Sequence, residues 1–175
     1  MLLPIAGGLI RSWRADDVTA LARNADNRRV WANLRDRFPS PYTLDDAESW
    51  LRHCARTVPV TDFAIEVDGE AAGGIGVVLR TDVERVDTEL GYWLGEPFWG
   101  RGVMSEAVTA FVPWVFDRFH VARVHANVFD FNAASSRVLE KAGFTLEGRL
   151  RQSAFKDGRL IDQLVYARIR EGWRP

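Results

Sequence analysis

The sequence predicts an α/β (α+β) fold: a mixed, mostly antiparallel sheet of about seven strands, with helices on both faces and one parallel crossover. Three observations carry this. Period-two runs flank Asp68-Gly69, a hairpin signal. A second pair of strands flanks Lys156-Asp157-Gly158 in the same way. Between the two hairpins, a strand ending at Gly95 passes through a glycine-rich turn into a long apolar helix and then another strand. That unit makes a right-handed parallel crossover. At 175 residues, without repeats, low-complexity runs or a linker, the chain reads as one domain over 1–175 with enough length to bury a core.

Residues 8–14 form the first strand, and Asp16 is placed to cap a helix through Val18, Leu21 and Ala22. Residues 27–42 carry Trp31, Leu34, Phe38 and Tyr42 among arginines and prolines. Their first part suits a short helix, and Phe38-Pro39-Ser40-Pro41 must be loop. Thr43 with Asp46 makes a capping box, and Leu44, Ala47, Leu51 and Cys54 give a helical stripe to about residue 56. The period then changes to two: Phe63, Ile65 and Val67 alternate, as do Ile75, Val77 and Leu79. After a loop at 80–85, Leu90, Tyr92 and Leu94 share one face of a third strand, with Glu89, Gly91 and Trp93 on the other.

In the helix beyond the glycines, Val103, Ala107, Phe111, Val115 and Phe119 recur every four residues. Pro113 falls inside this pattern and is expected to kink or break the helix near residues 109–112. Residues 121–129 read as a strand. Asn132 caps a short helix, Ala133 to Ala142, that stops at Gly143. Strands at about 144–152 and 160–170 complete the second hairpin.

Composition narrows the function. A net charge of −1, with 47% hydrophobic and 27% charged residues, points to no bulk electrostatic partner, neither duplex nucleic acid nor an anionic membrane. The single cysteine, Cys54, excludes an internal disulfide framework and a cysteine-based zinc site. His53, His120 and His125 share no ligand spacing, so no metal is expected. Met1 to Ile10 is apolar but short, interrupted by Pro4, Gly7 and Gly8, and lacks a basic leading segment; it is a poor signal peptide. The expected location is the cytoplasm.

The chemistry lies in the stretch from Glu89 to Ala107. A glycine turn between a strand and a helix presents backbone N–H groups at the positive end of the helix dipole, a site for phosphate or pyrophosphate. On spacing alone, Gly100 and Gly102 serve equally well as residues of a tight turn. No Gly-Lys-Ser/Thr follows, which argues against nucleotide triphosphate hydrolysis. The missing third glycine and the antiparallel strands before the turn argue against a Rossmann dinucleotide site.

The run Trp99-Gly100-Arg101-Gly102-Val103-Met104 resembles the acetyl-CoA pyrophosphate loop of the GNAT N-acetyltransferases, written Arg/Gln-x-x-Gly-x-Gly/Ala. The run Asn132 to Phe144 resembles that family's second signature, an Asn-led helix ending in Gly-Phe. More narrowly, Gly-Tyr-Trp-Leu before the turn, Met-Ser-Glu-Ala after it, and Thr-Leu-Glu-Gly followed by a late Asp and Tyr-Ala-Arg are similar to the ribosomal-protein N-terminal acetyltransferases of the RimJ/RimL type. The order of elements matches over nearly the whole chain. Trp99 and Met104 depart from the loop pattern, yet binding through main-chain N–H groups survives both changes.

The resemblance implies acetyl-CoA as acetyl donor, bound by Trp99, Gly100, Arg101, Gly102, Val103, Met104 and Ser105. It adds Asn132 and unpaired main-chain groups of Trp93 and Leu94 for the pantetheine arm and the thioester carbonyl. Glu89 is the expected general base, since an amine arrives largely protonated at neutral pH; Asp87 and Glu66 are weaker alternatives. Leu139 occupies the position where many relatives place a tyrosine acid, and Ser135 is the matching hydroxyl; it serves equally as a bond to its own helix. Trp31, Phe38, Tyr42 and Phe155 are expected either in the acceptor cleft or in core packing. The acceptor is then a primary amine, foremost a protein N-terminal α-amine, attacked directly in a ternary complex. A polyamine, aminoglycoside or amino acid, a catalytically inactive CoA-binding module, and a nucleotide-binding protein using the same turn are the alternatives. Relatives of this kind often pair, so the resemblance also implies a homodimer, with Trp173 expected as an exposed anchor.

Overall fold

The computed structural model describes residues 1–174. Among them, one sheet holds β1 (Leu2–Ile5), β2 (Gly8–Ser12), β3 (Asp62–Val67), β4 (Glu70–Leu79), β5 (Asp87–Leu94), β6 (Arg123–Phe129), β7 (Thr145–Lys156) and β8 (Arg159–Ile169). Their order across the sheet is β1-β2-β3-β4-β5-β6-β8-β7. The α-helices are α1 (Val18–Ala25), α2 (Arg28–Trp31), α3 (Leu44–Arg56), α4 (Val103–Arg118) and α5 (Ala133–Lys141). β6 runs parallel to β5 and antiparallel to β8, as a crossover through α4 requires.

The sheet has one strand more than expected. Leu2–Ile5 pairs antiparallel with β2, Leu2 opposite Arg11 and Ile5 opposite Gly8. The apolar start of the chain is an edge strand, where Pro4 is tolerated because only one side of the strand joins a ladder. Both expected hairpin turns are present: Asp68 and Gly69 have φ of 53° and 84°, Asp157 and Gly158 of 52° and 76°. Two consecutive left-handed residues define the turn that matches the twist of the flanking strands.

The chain divides into two compact units. The first comprises Met1–Gly76 and Tyr92–Ala107, the second Val77–Gly91 and the chain from Val108 on. The divisions fall inside β4, β5 and α4.

In the first unit, Leu21, Ala25, Tyr42, Ala47 and Leu51 form a buried cluster, with Trp13, Phe38, Trp50 and Trp93 packed against it. Asp16 does not cap α1. A single 3-10 turn, Ala15–Asp17, precedes the helix, and the buried carboxylate at its start is Asp17. Arg11 donates to both oxygens of Asp17 at 2.7 Å, and the Arg14 N–H donates to it at 2.8 Å. The Nε of Arg11 donates to Glu66 on β3. The expected capping box at α3 is formed: Thr43 Oγ1 accepts from the Asp46 N–H at 3.2 Å, and Asp46 accepts from the Thr43 N–H at 2.8 Å.

In the second unit, Val108, Phe111, Val112, Val115, Val124 and Leu139 are fully buried. Pro113 lies inside α4 without breaking it. Proline removes one helical hydrogen bond and crowds the carbonyl four residues back, at a cost of about 3 kcal/mol. Here Pro113 and Thr109 are both exposed, so the released carbonyl lies on the solvated side. The neighbours Val112 and Phe116 remain buried and hold the helix in place.

Candidate active site

In the first unit, β5 ends at Leu94, and a 3-10 turn, Glu96–Phe98, leads to the glycines. Gly100 and Gly102 have φ of 74° and 80°, a region that side chains other than glycine rarely adopt. No atom stands within 4 Å of where a Cβ would sit on either residue. Backbone conformation demands glycine there, and the open space lets a ligand approach the main chain. α4 begins at the next residue, Val103, and its first-turn N–H groups point toward its start.

Trp99 takes the place of the usual loop arginine or glutamine and acts as a clip. Its indole Nε1 donates to the Leu94 carbonyl at 2.7 Å. The Arg29 guanidinium lies 5.3 Å from its ring centroid. Arg29 is itself ion-paired with Glu96, and Glu96 also accepts from Asn27 Nδ2 at 2.8 Å. Arg101 points to the hairpin turn, donating from both terminal nitrogens to Asp68 at 3.1 Å. Val103 and Met104 are buried, while Ser105 is half-buried.

At the end of β5, one of the main-chain groups expected to be unpaired has a partner. The Trp93 carbonyl lies so close to Gly73 of β4 that a Cβ there would stand 2.3 Å from it. The Leu94 carbonyl already accepts from Trp99. The Leu94 carbonyl is therefore engaged within the chain. This follows from the indole at position 99, which no strand pattern announces.

The aromatic residues expected near the acceptor separate into different environments. Phe38 touches Tyr42 and Trp93, with ring centroids at 4.9 and 5.6 Å. Tyr42 is 7% exposed, and burial, then the Asp46 charge, push its phenol well above the ordinary tyrosine range. It is part of the core. Trp31 ends α2 under the Arg28 guanidinium, 4.0 Å from its ring centroid. Phe155 belongs to the second unit, on β7 opposite Leu160, and is 67% exposed.

In the second unit, Glu89 is the last β5 residue paired with β6, opposite His125; Asp87 stands opposite Arg123. β6 itself continues to Phe129. Asp87, Glu89, Arg123, His125 and Asn127 therefore share one face. Asn127 Nδ2 donates to Glu89 Oε1 at 3.4 Å. His125, only 4% exposed, is held on both ring nitrogens. Arg80 has only donors, so at 3.3 Å it donates to Nε2, and Nδ1 carries the proton given to Asp87 at 2.9 Å. Arg123 also donates to Asp87, at 3.0 Å. Of the weaker base candidates, Asp87 is enclosed by these groups, and Glu66 is paired with Arg11 and Arg14.

Asn132 caps α5, its side-chain oxygen accepting from the Ser135 N–H at 3.1 Å. Ser135 thus sits in the first turn of α5, half-buried, and Leu139 is fully buried. Tyr166 does not replace the missing phenol. It stands opposite Ala126, on the other face of β6 from Asn127, and donates to Glu140 at 3.1 Å. Sequence reasoning missed Asn127, Arg29 and Asp68 as neighbours of the site. Only the period-two placement of Asn127 relative to His125 offered a signal.

Cys54 lies on α3, and burial, then the Asp62 charge, push its thiol up to about 12. We expect alkylation by iodoacetamide at pH 8 to be at least about tenfold slower in the folded protein than in urea, measured by mass spectrometry. His53 stacks on Trp50 and His120 on Trp173. Among the described residues no group of three or more His, Cys, Asp or Glu is arranged to hold a metal ion, and no helix is long and apolar enough to cross a membrane. Trp173 is not an exposed anchor: it is half-buried, and its indole Nε1 is buried without a hydrogen-bond partner.

Comparison with known proteins identifies the family. A family model described as the acetyltransferase (GNAT) domain matches residues 9–145. The chain is 24% identical over 168 residues to the SPbeta prophage-derived uncharacterized N-acetyltransferase YokL of Bacillus subtilis, covering 91% of this chain and 93% of that one. It is 33% identical over 86 residues to the ribosomal protein uS5-alanine N-acetyltransferase of Escherichia coli, 49% of this chain and 44% of the relative. The match to that relative thus spans less than half of its length. The fold superposes on Mycobacterium smegmatis RimJ, solved in complex with a CoA disulfide, with a TM-score of 0.84 at 24% identity, covering 98% and 88% of the two chains. With the family model spanning most of the chain, this protein belongs to the GNAT acetyltransferases.

Proposed function

We propose that the protein transfers an acetyl group from acetyl-CoA to the α-amine at a protein N-terminus, by direct attack in a ternary complex and without a covalent enzyme intermediate. The observation that carries this reading is Glu89, a carboxylate standing where the parallel β5–β6 ladder ends. An α-amine has an ordinary pKa near 8, so part of it is neutral at physiological pH, and a carboxylate acting directly or through a water removes the remaining proton. The glycine turn and the start of α4 supply main-chain N–H groups to the CoA pyrophosphate, and Leu94 adds its N–H to the pantetheine arm. Ser135 is the hydroxyl assigned to protonate the leaving thiolate, and Asn132, besides capping its helix, is assigned to the pantetheine amides. Phe38 and Phe155 are the aromatic residues assigned to the acceptor, whereas the burial of Tyr42 supports packing. We place the activity in the cytoplasm and in the whole chain acting as one domain.

The choice of a protein N-terminus draws on the relatives named for ribosomal-protein alanine and serine acetylation. A mass-spectrometric panel tests it. Peptides with free N-terminal alanine or serine, a polyamine, an aminoglycoside and free amino acids are incubated with labelled acetyl-CoA. The expected result is label on peptide α-amines, with small amines at least about tenfold slower in kcat/KM. Faster transfer to a small amine overturns the acceptor assignment. Binding of acetyl-CoA without turnover of any amine overturns the enzymatic one.

A further inference from the structure

We propose that Asn127 is a positioning residue for Glu89, aiming its carboxylate at the end of the parallel ladder where the acceptor amine must be deprotonated. The inference rests on the reading of Glu89 as the base. Pairing of β5 with β6 stops at Glu89 and His125, so the side chain of Glu89 has two neighbours on β6 on its own face: His125 directly across and Asn127 one repeat further. His125 cannot serve it, because both ring nitrogens are engaged, one by Asp87 and one by Arg80. Asn127 donates to Glu89 Oε1 at 3.4 Å. Its own strand position is fixed independently by pairing with β8, where it stands opposite Val165. The bond therefore draws the carboxylate toward the carboxyl ends of β5 and β6. In open sheets, ligands bind outside the carboxyl ends of parallel strands. One Glu89 oxygen is thus held by a donor that carries no charge and cannot take its proton, and the rotamer that faces the end of the ladder is selected.

A double-mutant cycle on the full chain tests this with an alanine-terminated peptide and acetyl-CoA. Asn127→Ala lowers kcat about tenfold with the KM for acetyl-CoA unchanged, and in the Glu89→Gln background it adds less than about twofold. Asn127→Asp keeps the shape but replaces the donor with a second carboxylate, and it matches or exceeds the loss in Asn127→Ala. A loss of equal size in both backgrounds shows that Asn127 does not act through Glu89 and overturns the proposal. A Glu89→Gln variant as active as the parent overturns the base assignment itself, and the proposal with it. A second readout needs no turnover. The side-chain amide protons of Asn127 in a 1H–15N spectrum shift when Glu89→Gln removes the charged acceptor; resonances that stay in place overturn the proposal whatever the acceptor is.

Discussion

Glu89→Gln lowers kcat toward a peptide α-amine by about 10²–10³-fold, while acetyl-CoA binds the variant within about twofold of the parent. Glutamine preserves the shape of the side chain and still accepts from Asn127 Nδ2, so what is removed is the capacity to take a proton. Steady-state kinetics paired with calorimetric titration of acetyl-CoA separate the two effects. A kcat within a few-fold of the parent sinks the assignment. The two weaker candidates are already engaged: Asp87 is held by His125 and Arg123 and Glu66 by Arg11. A drop in acetyl-CoA affinity instead of kcat would make Glu89 a binding residue.

The second large effect is on stability. Arg11 is 2% exposed and Asp17 5%, and Arg11 bonds to both oxygens of Asp17. These hydrogen bonds, with Glu66 beside them, raise the Arg11 guanidinium further above its already high range, so it stays charged at any pH the fold survives. Arg11→Met leaves the Asp17 carboxylate buried without its charged partner. Breaking a buried pair from one side costs about 3–5 kcal/mol, a large share of the 5–15 kcal/mol that holds a typical domain together. Urea unfolding is expected to show a lower midpoint with an unchanged slope. The double variant Arg11→Met/Asp17→Leu recovers part of the loss, since removing both charges also removes the desolvation penalty. If the single variant loses less than about 1 kcal/mol, the pair is solvated in solution and the buried network is not what anchors the start of α1.

Elements with strong local signals were legible in the residues. Asp68-Gly69 and Asp157-Gly158 force left-handed backbone, Thr43 and Asp46 satisfy each other's N–H groups, and the glycine turn into α4 follows from Gly100 and Gly102. The short strand Leu2–Ile5 was not legible, because four residues without a strong alternation become a strand only when β2 is beside them. Asp16 and Asp17 offer the same carboxylate at adjacent positions. Arg11, on β2, selects Asp17 in the turn that follows.

The same division runs through the site. Sequence by itself determined the family, the glycine turn and Glu89 as a strand carboxylate, because these depend on residue type and on spacing along one segment. Only the tertiary structure decided that Trp99 occupies the Leu94 carbonyl, that Tyr42 is buried, and that Asn127 rather than His125 reaches Glu89. Each of these is a contact between residues on different segments or across a turn. Side-chain period tells which face a residue takes, but the register between strands decides that Asn127 comes within reach of the carboxylate.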